Sequence, residues 1–391
     1  YKIVHTTCHT EWGGLERRIF NESMWMKKNG HAIIIAAPQD TPLFTRAKSE
    51  GIKVYPVDFK RLGIFKDFAS LKRIFKNERP DIVNTHGNAD SKLALLAAKK
   101  TGVPLRILSR HISAHVRRSW YNRIMYKRLS HYIFTTADYT TRHLQKTFRL
   151  SDMQVFSIPS GIAVPGALED RDQARQAVAE QFGLDPATRF IGFVGRVSED
   201  KGVVTLVKAF KKVAEKIPNT HLLIVGEGPR EYLARLDKKA KALSIEQMVH
   251  FAGFQENVWP YYRALDCKVL PSLDINGVPF EGVPQAILEA MASGCPVIGS
   301  RTGGILDIIS HETTGLLFDQ NDDADLAHAI LTCLRDPNTT RDRVTAAREK
   351  VLKHHTLDAM GRDVVRIYRL HQVRLNQNRP DHGRFDRGMY G

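Results

Sequence analysis

Two glutamates, Glu281 and Glu289, bracket a Gly282-Val283-Pro284 turn. Their carboxylates could accept hydrogen bonds from the hydroxyls of a sugar and of a ribose. Gly282 lets a ligand approach the backbone, and Pro284 suits the first helical position, where its missing N–H would be unpaired anyway. The predicted helix runs to Gly294, a residue type that ends helices readily. The backbone of its first turn, with the positive end of the helix dipole, would seat a diphosphate without a Walker lysine. Taken alone, the pair is equally an acidic residue favoured near a helix start and a solvated helix glutamate.

Upstream, Gly192-Phe193-Val194-Gly195-Arg196-Val197-Ser198-Glu199-Asp200-Lys201-Gly202 joins a strand to a loop carrying two cations. Two such cations could neutralise a bound anion, Arg196 as a bidentate fork and Lys201 as a point charge. In isolation such residues are ordinary surface charges. Gly226-Glu227-Gly228-Pro229 opens like a dinucleotide fingerprint, but Glu231 stands where the third glycine belongs, which argues against NAD. After the opening strand, Trp12-Gly13-Gly14-Leu15-Glu16 would bring backbone to a phosphate or sugar at a helix start, or make a plain tight turn. His111 ends the run LRILSRH and His86 ends DIVNTH, so both imidazoles could face a cleft.

Positioning these groups requires strands that end beside them. Short β-branched runs alternate with helical periodicity: KIVHTT, HAIIIAAP, IKVYPVD, PDIVNTHG, LRILSRH, HYIFTTAD and QVFSIPSGI come first. RFIGFVGR, HLLIVGEG, MVHFAGF, CKVLPSL, PVIGSRTGG and TGLLF follow a loose polar stretch at Pro165 to Glu169. The runs are apolar throughout, as in parallel sheets covered on both faces, and the alternation specifies an α/β fold. A chain of 391 residues favours two such domains. Two doubly wound sheets would hold their carboxyl-end loops on opposite walls of a cleft.

Apolar residues at 42% and charged residues at 26% exclude wholesale disorder. The net charge of +16 is confined to residues 1–165, with 28 Lys+Arg against 12 Asp+Glu, while the remainder balances at 30 against 30. That half is expected to face something anionic: a membrane surface, a phosphorylated acceptor or nucleic acid. Arg117, Arg118, Arg123, Lys127 and Arg128, interleaved with Trp120, Tyr121 and Tyr126, fit an interfacial contact or a solvated helix face. No helix-turn-helix, zinc finger or aromatic RNP segment accompanies the charge, so nucleic acid is not expected. Cys8, Cys267, Cys295 and Cys333 form no CxxC pair, which fits a reducing compartment. No apolar run approaches the ~20 residues that cross a bilayer. The opening YKIVHTTCHT reads as a strand rather than a signal peptide, though without an initiator Met a leader could have been trimmed. A soluble or peripheral protein is expected.

The segment FEGVPQAILEAMASGCPVIGSRTGG resembles the E-x7-E region of retaining glycosyltransferases with the GT-B fold, in particular glycosyltransferase family four. GRVSEDKG is similar to that family's G-R-x-x-x-x-K-G loop, and the likeness runs along nearly the whole chain. It implies that Glu281 contacts hydroxyls of the transferred sugar and Glu289 the nucleotide ribose. Gly282, Val283 and Pro284 would meet the diphosphate, with Arg196 and Lys201 neutralising it. Gly195, Gly226, Gly253 and Phe254 would border the nucleotide, Gly13 and Gly14 the first half's share of the site, and His111 the transferred sugar.

The resemblance further implies retention of anomeric configuration with no metal and no cofactor beyond the nucleotide sugar. The nucleoside diphosphate would depart from the front face, its phosphate oxygen helping to deprotonate the incoming hydroxyl. An amphipathic last helix from Leu357 would cross back to the first domain. The division is then 1–165 with about 357–391 as the acceptor-binding domain, and 166–356 as the donor-binding domain. Partners would be a nucleotide-sugar donor, a glycan or lipid-linked acceptor and an anionic membrane surface. The expected place is the cytoplasm, peripheral on the inner face of the membrane, in lipopolysaccharide or other cell-envelope glycan synthesis. Rival readings are a sugar-nucleotide epimerase or phosphorylase on the same fold, a basic nucleic-acid-binding protein, and a catalytically silent sugar-binding homologue.

Overall fold

The computed structural model describes residues 1–60, 63–111, 116–279 and 281–377; Phe280 of the glutamate motif, and the tail from 378 expected to fray, lie outside the described residues. Seven strands build a first sheet: β1 (Lys2–Thr6), β2 (Ala32–Ala37), β3 (Lys53–Pro56), β4 (Ile82–Thr85), β5 (Leu105–Arg110), β6 (Tyr132–Thr135) and β7 (Val155–Ser157). Six build a second: β8 (Arg189–Val194), β9 (Thr220–Val225), β10 (Val249–Gly253), β11 (Cys267–Leu270), β12 (Val297–Ser300) and β13 (Leu316–Phe318). The orders are β3-β2-β1-β4-β5-β6-β7 and β10-β9-β8-β11-β12-β13. All these pairings are parallel.

Helices cover both faces, so β2 (AIIIAA) and β8 (RFIGFV) are buried apart from their first residues. This two-sided cover is why the strands show no polar alternation. Helix starts carry their own signals. Thr41 accepts from the Phe44 amide ahead of Pro42, and Asp170 and Asp322 accept from amides of their first turns. The basic and aromatic stretch is one α-helical segment, Trp120–Ile124, continued as a π-helix over Met125–Leu129.

The helix Leu357–Gln377 buries Met360, Val364, Ile367 and Tyr368 in one cluster with Ile3, Ile19 and Ile35 of the first sheet's layer. Gly361 sits against Trp25, whose indole a Cβ there would overlap, and Trp25 Nε1 donates to Asp358 at 2.6 Å. The two traverses between the sheets run side by side, with the Ile162 amide on the His355 carbonyl at 2.9 Å and the Leu357 amide on the Ile162 carbonyl at 3.1 Å. Gly161 makes this possible, since a Cβ would lie 2.5 Å from the Thr356 carbonyl oxygen. No described helix is long and apolar enough to cross a membrane.

Candidate functional site

In each sheet the strand order reverses beside the strand that comes first in the chain, between β1 and β4 and between β8 and β11. Loops leaving the carboxyl ends at such a point diverge and leave a crevice. In the second sheet those loops are Gly195–Gly202 after β8 and Pro271–Pro284 after β11. They are locked together: the Leu273 amide donates to the Asp200 carbonyl at 2.8 Å, and a Cβ on Gly202, whose φ is 62°, would overlap the Pro271 carbonyl.

That locking brings Lys201 to Glu281. The Lys201 ammonium forms an ion pair with Glu281 Oε1, and Ser272 Oγ donates to the same oxygen at 2.7 Å. Glu281 is buried, with 8% of its surface exposed, so its carboxylate is held by partners rather than by water. Arg196 is joined to this cluster through Asp200, whose Oδ2 also lies 3.9 Å from Lys201 Nζ. Its side chain is exposed and lies 3.1 Å from Asp200 Oδ2, the carboxylate that also accepts from Ser198 Oγ.

Glu289 is buried too, which removes the solvated-helix explanation for it. Its Oε1 takes the Arg17 guanidinium at 2.9 Å from the first sheet's layer, and its Oε2 accepts from Tyr262 Oη at 3.1 Å. Burial, followed by the Glu289 charge, pushes the Tyr262 phenol well above its usual range, so Tyr262 stays a donor. The helix starts one residue later than expected. It spans Gln285–Ser293, with Pro284 at the cap in an extended conformation and Gly294 left-handed at the end. Pro284 therefore contributes its carbonyl, which accepts from the Ile287 and Leu288 amides and leaves earlier amides of the turn uncommitted to it.

The glycines serve mainly to let loops cross. A Cβ on Gly226 would overlap the Gly195 carbonyl, and one on Gly228 the Val197 carbonyl. The Gly195 amide is bound to the Val225 carbonyl, and the Gly226 amide to the Gly253 carbonyl. Phe254, beyond Gly253, is 59% exposed. Gly13 caps the helix Gly14–Lys28, and its amide donates to Glu16 Oε2 at 2.9 Å; space beside Gly14 is open. At Gly282 the two halves come into close contact, because a Cβ there would fall 2.6 Å from the His111 carbonyl oxygen and 2.7 Å from Thr136 Oγ1. Val283, next to it, is buried.

Five site residues gave little sequence signal: His5, Arg17, Ser272, Tyr262 and Lys268. Lys268 lies inside β11 with no exposed surface, and its Nζ has no hydrogen-bond partner. Burial pulls its ammonium down to about 7; the nearby Glu281 opposes this and Lys201 adds to it. Its neighbours in the run CKVL are apolar, so the residue type was the one available clue. Ser272 sits at the end of the strand run CKVLPSL, and Arg17 follows the Trp12-Gly13-Gly14-Leu15-Glu16 turn.

Residues 12–164 match the family model Glycosyltransferase Family 4, and residues 174–350 match Glycosyl transferases group 1. A solved glycosyltransferase from Rickettsia africae superposes with a TM-score of 0.83 at 21% identity, covering 95% of this chain and 98% of its own. The Anabaena protein HepE, solved in complex with UDP, gives 0.80 at 17% identity over 95% and 100%. The architecture is thus GT-B, two doubly wound sheets that meet across a crevice. An Escherichia coli relative, UDP-Gal:alpha-D-GlcNAc-diphosphoundecaprenol alpha-1,3-galactosyltransferase, is 26% identical over 86% of this chain and 88% of its own. Three curated relatives with identities of 31%, 31% and 29% match over only 47%, 47% and 48% of their lengths, so the chain spans about half the length of those proteins. The chain belongs to the family four, group 1 glycosyltransferases.

Proposed function

We propose that the protein is a retaining glycosyltransferase that moves a sugar from a nucleoside-diphosphate sugar to an acceptor hydroxyl. The observation that carries this reading is the Lys201–Glu281–Ser272 cluster at the β8/β11 reversal, beside the start of the helix Gln285–Ser293. The helix start and the backbone of Gly282 and Val283 seat the diphosphate, and Lys201 neutralises it. Arg196, on its exposed side chain, swings from Asp200 to the departing phosphate, and no metal is called for. Glu281 holds hydroxyls of the transferred sugar, Glu289 holds the ribose, and His111 lies beside the sugar. Gly195 and Gly226 shape the nucleotide wall by letting their loops cross, Gly253 and Phe254 border the base, and the Gly13-Gly14 helix start faces the acceptor side. The acceptor-binding domain is 1–165 with the last helix, and the donor-binding domain is 166–356.

The named donor and lipid-linked acceptor of the Escherichia coli relative favour a UDP-sugar and a cell-envelope glycan here, lipopolysaccharide included. A peripheral contact with the cytoplasmic face of the membrane is supported by exposed Trp120 and Phe65 together with exposed Arg117, Arg118 and Arg123 in the basic half. Sedimentation with anionic and with zwitterionic vesicles tests that contact, and equal binding to both would remove it.

The primary test is thermal stabilisation by UDP-, GDP- and ADP-sugars, followed by product analysis with and without acceptor. A bound donor at 100 times its Kd adds about 2.7 kcal/mol of stability. No stabilisation by any of them, or an epimerised donor formed without acceptor, would overturn the reading.

A further inference from the structure

A second line of titratable groups runs through the first sheet: His5 on β1, His86 just after β4 and His111 just after β5. Nδ1 of His5 lies 2.9 Å from Nε2 of His86, and Nδ1 of His86 lies 2.8 Å from Nε2 of His111. The rings stack in succession, with centroids 5.1 Å apart at each step. His5 and His86 are buried. His86 is fixed from behind as well, its amide donating to Asp90 Oδ2 at 3.1 Å while Thr6 Oγ1 donates to the same oxygen at 2.8 Å.

Each N···N link needs one donor and one acceptor, and a neutral imidazole carries a single N–H. Burial is the main reason all three rings lie below the usual imidazole range, His5 at about 4, so they are neutral at physiological pH. The links are head to tail, Nδ1 of one ring to Nε2 of the next. A proton on His5 Nδ1 therefore leaves His86 Nε2 accepting, puts the His86 proton on Nδ1, and does the same to His111. The three rings must share one tautomer, all Nδ1–H or all Nε2–H. The terminal nitrogens, His5 Nε2 and His111 Nδ1, are buried without a partner. Nδ1 is thus the His111 nitrogen left for a ligand.

We propose that His86, backed by His5, is a positioning residue that holds His111 as the Nδ1–H tautomer, a hydrogen-bond donor to an oxygen of the transferred sugar. The inference rests on the transferase reading for the identity of that oxygen. Glycosyl and phosphate oxygens accept hydrogen bonds, whereas the opposite tautomer would set a nitrogen lone pair against an oxygen lone pair. Coupling through two rings ties the His111 tautomer to those of His86 and His5, so the three protons shift together and a ligand oxygen at His111 Nδ1 sets the whole array.

The test begins with long-range proton–nitrogen NMR of the full chain labelled in histidine nitrogen, at neutral pH and without ligand, each ring assigned by single substitution. The expected result is three neutral rings, all Nδ1–H. An imidazolium among them, an all-Nε2–H set or a mixture of tautomers would overturn the proposal. Turnover is then measured with the UDP-, GDP- or ADP-sugar that stabilises the protein. His86→Leu should lower kcat about tenfold or more with donor KM within about twofold. His86→Asn, whose amide can occupy the place of Nδ1, should restore most of the loss. In a His111→Ala background His86→Leu should cost nothing further. A loss there as large as in the wild type would reduce His86 to a structural residue and overturn the proposal. Shared Nδ1–H tautomers in a protein that turns over no nucleotide sugar would instead defeat the transferase reading, with the positioning of His111 upheld.

Discussion

Arg17 and Glu289 meet across the crevice at 2.9 Å, joining the helix that follows β1 to the helix that carries the second glutamate. Arg17 is 43% exposed at its side chain, but Glu289 is buried, so the pair is asymmetric. Losing Arg17 leaves a buried carboxylate with Tyr262 as its remaining partner here.

Arg17→Ala is accordingly expected to destabilise by about 1 kcal/mol, discounted for the exposed guanidinium. That corresponds to a melting temperature lower by roughly 2–4 °C. Glu289→Gln in the Arg17→Ala background should cost less than Glu289→Gln alone, because the buried charge to be removed is by then unpaired. A double-mutant cycle by thermal denaturation measures this, and additivity within about 0.3 kcal/mol would show that the two residues do not cooperate.

Glu281→Gln keeps the shape of the side chain but removes the charge that faces Lys201, and Lys201→Ala removes the cation. Each should lower kcat about 10²-fold or more, as loss of a preorganised electrostatic partner does. The paired variant should fall far short of the product of the two losses, since the residues act as a unit. Steady-state turnover with the stabilising donor decides it, and full activity of Glu281→Gln would disprove the assignment.

Gly226→Ala should fail for a steric and a conformational reason together. Its φ is 132°, a region L side chains rarely adopt, and the new methyl would overlap the Gly195 carbonyl. The expected result is a lower melting temperature and loss of nucleotide-dependent stabilisation. Gly14→Ala, with open space beside it and an ordinary helical position, should leave stability unchanged or slightly raised.

Lys268 sets a pH dependence whose sign can be worked out. Its folded value of about 7 lies below the 10.5 of an ordinary lysine, so between those two pH values the unfolded chain binds a proton the folded chain does not. Stability from this group is then present above the unfolded value and lost as pH falls through about 7, at a slope of at most about 1.4 kcal/mol per pH unit. Lys268→Met, of similar volume, should raise the melting temperature near pH 6 and have little effect near pH 10. Melting curves of both proteins across that range check it; parallel curves would mean that the amine reaches water.

The parts of the site set by spacing along the chain were legible in advance. Glu281, Gly282, Pro284 and Glu289 lie within one turn and helix, and the strand runs sort themselves by burial on both faces. What the helix start could not reveal was its register, because Pro284 fits both the cap and the first helical position. Arg17, Tyr262 and Ser272 were hidden for a different reason. Arg17 and Tyr262 join the site through Glu289, far along the chain, and Ser272 through Glu281 across an irregular loop, and no helical or strand period encodes such partners. The histidine array combines both cases: His86 and His111 end strands and stood out, while His5 sits within a strand and acquires meaning from sheet order alone. Arg196 is the reverse case: its spacing along the chain is plain, and its side chain pairs with Asp200, whose carboxylate also lies beside Lys201.

The placement of Met360, Val364, Ile367 and Tyr368 beneath the first sheet has a consequence for biosynthesis. A ribosome releases β1 through β7 first, yet the residues that seal one face of that layer are translated only after the entire second sheet. The opening half of the protein must therefore wait, with Ile19, Trp25 and their neighbours uncovered, while the later half folds around β8 to β13. The order of completion is the reverse of the order of synthesis, and the interval between the two is when a chaperone would find the nascent chain most worth holding.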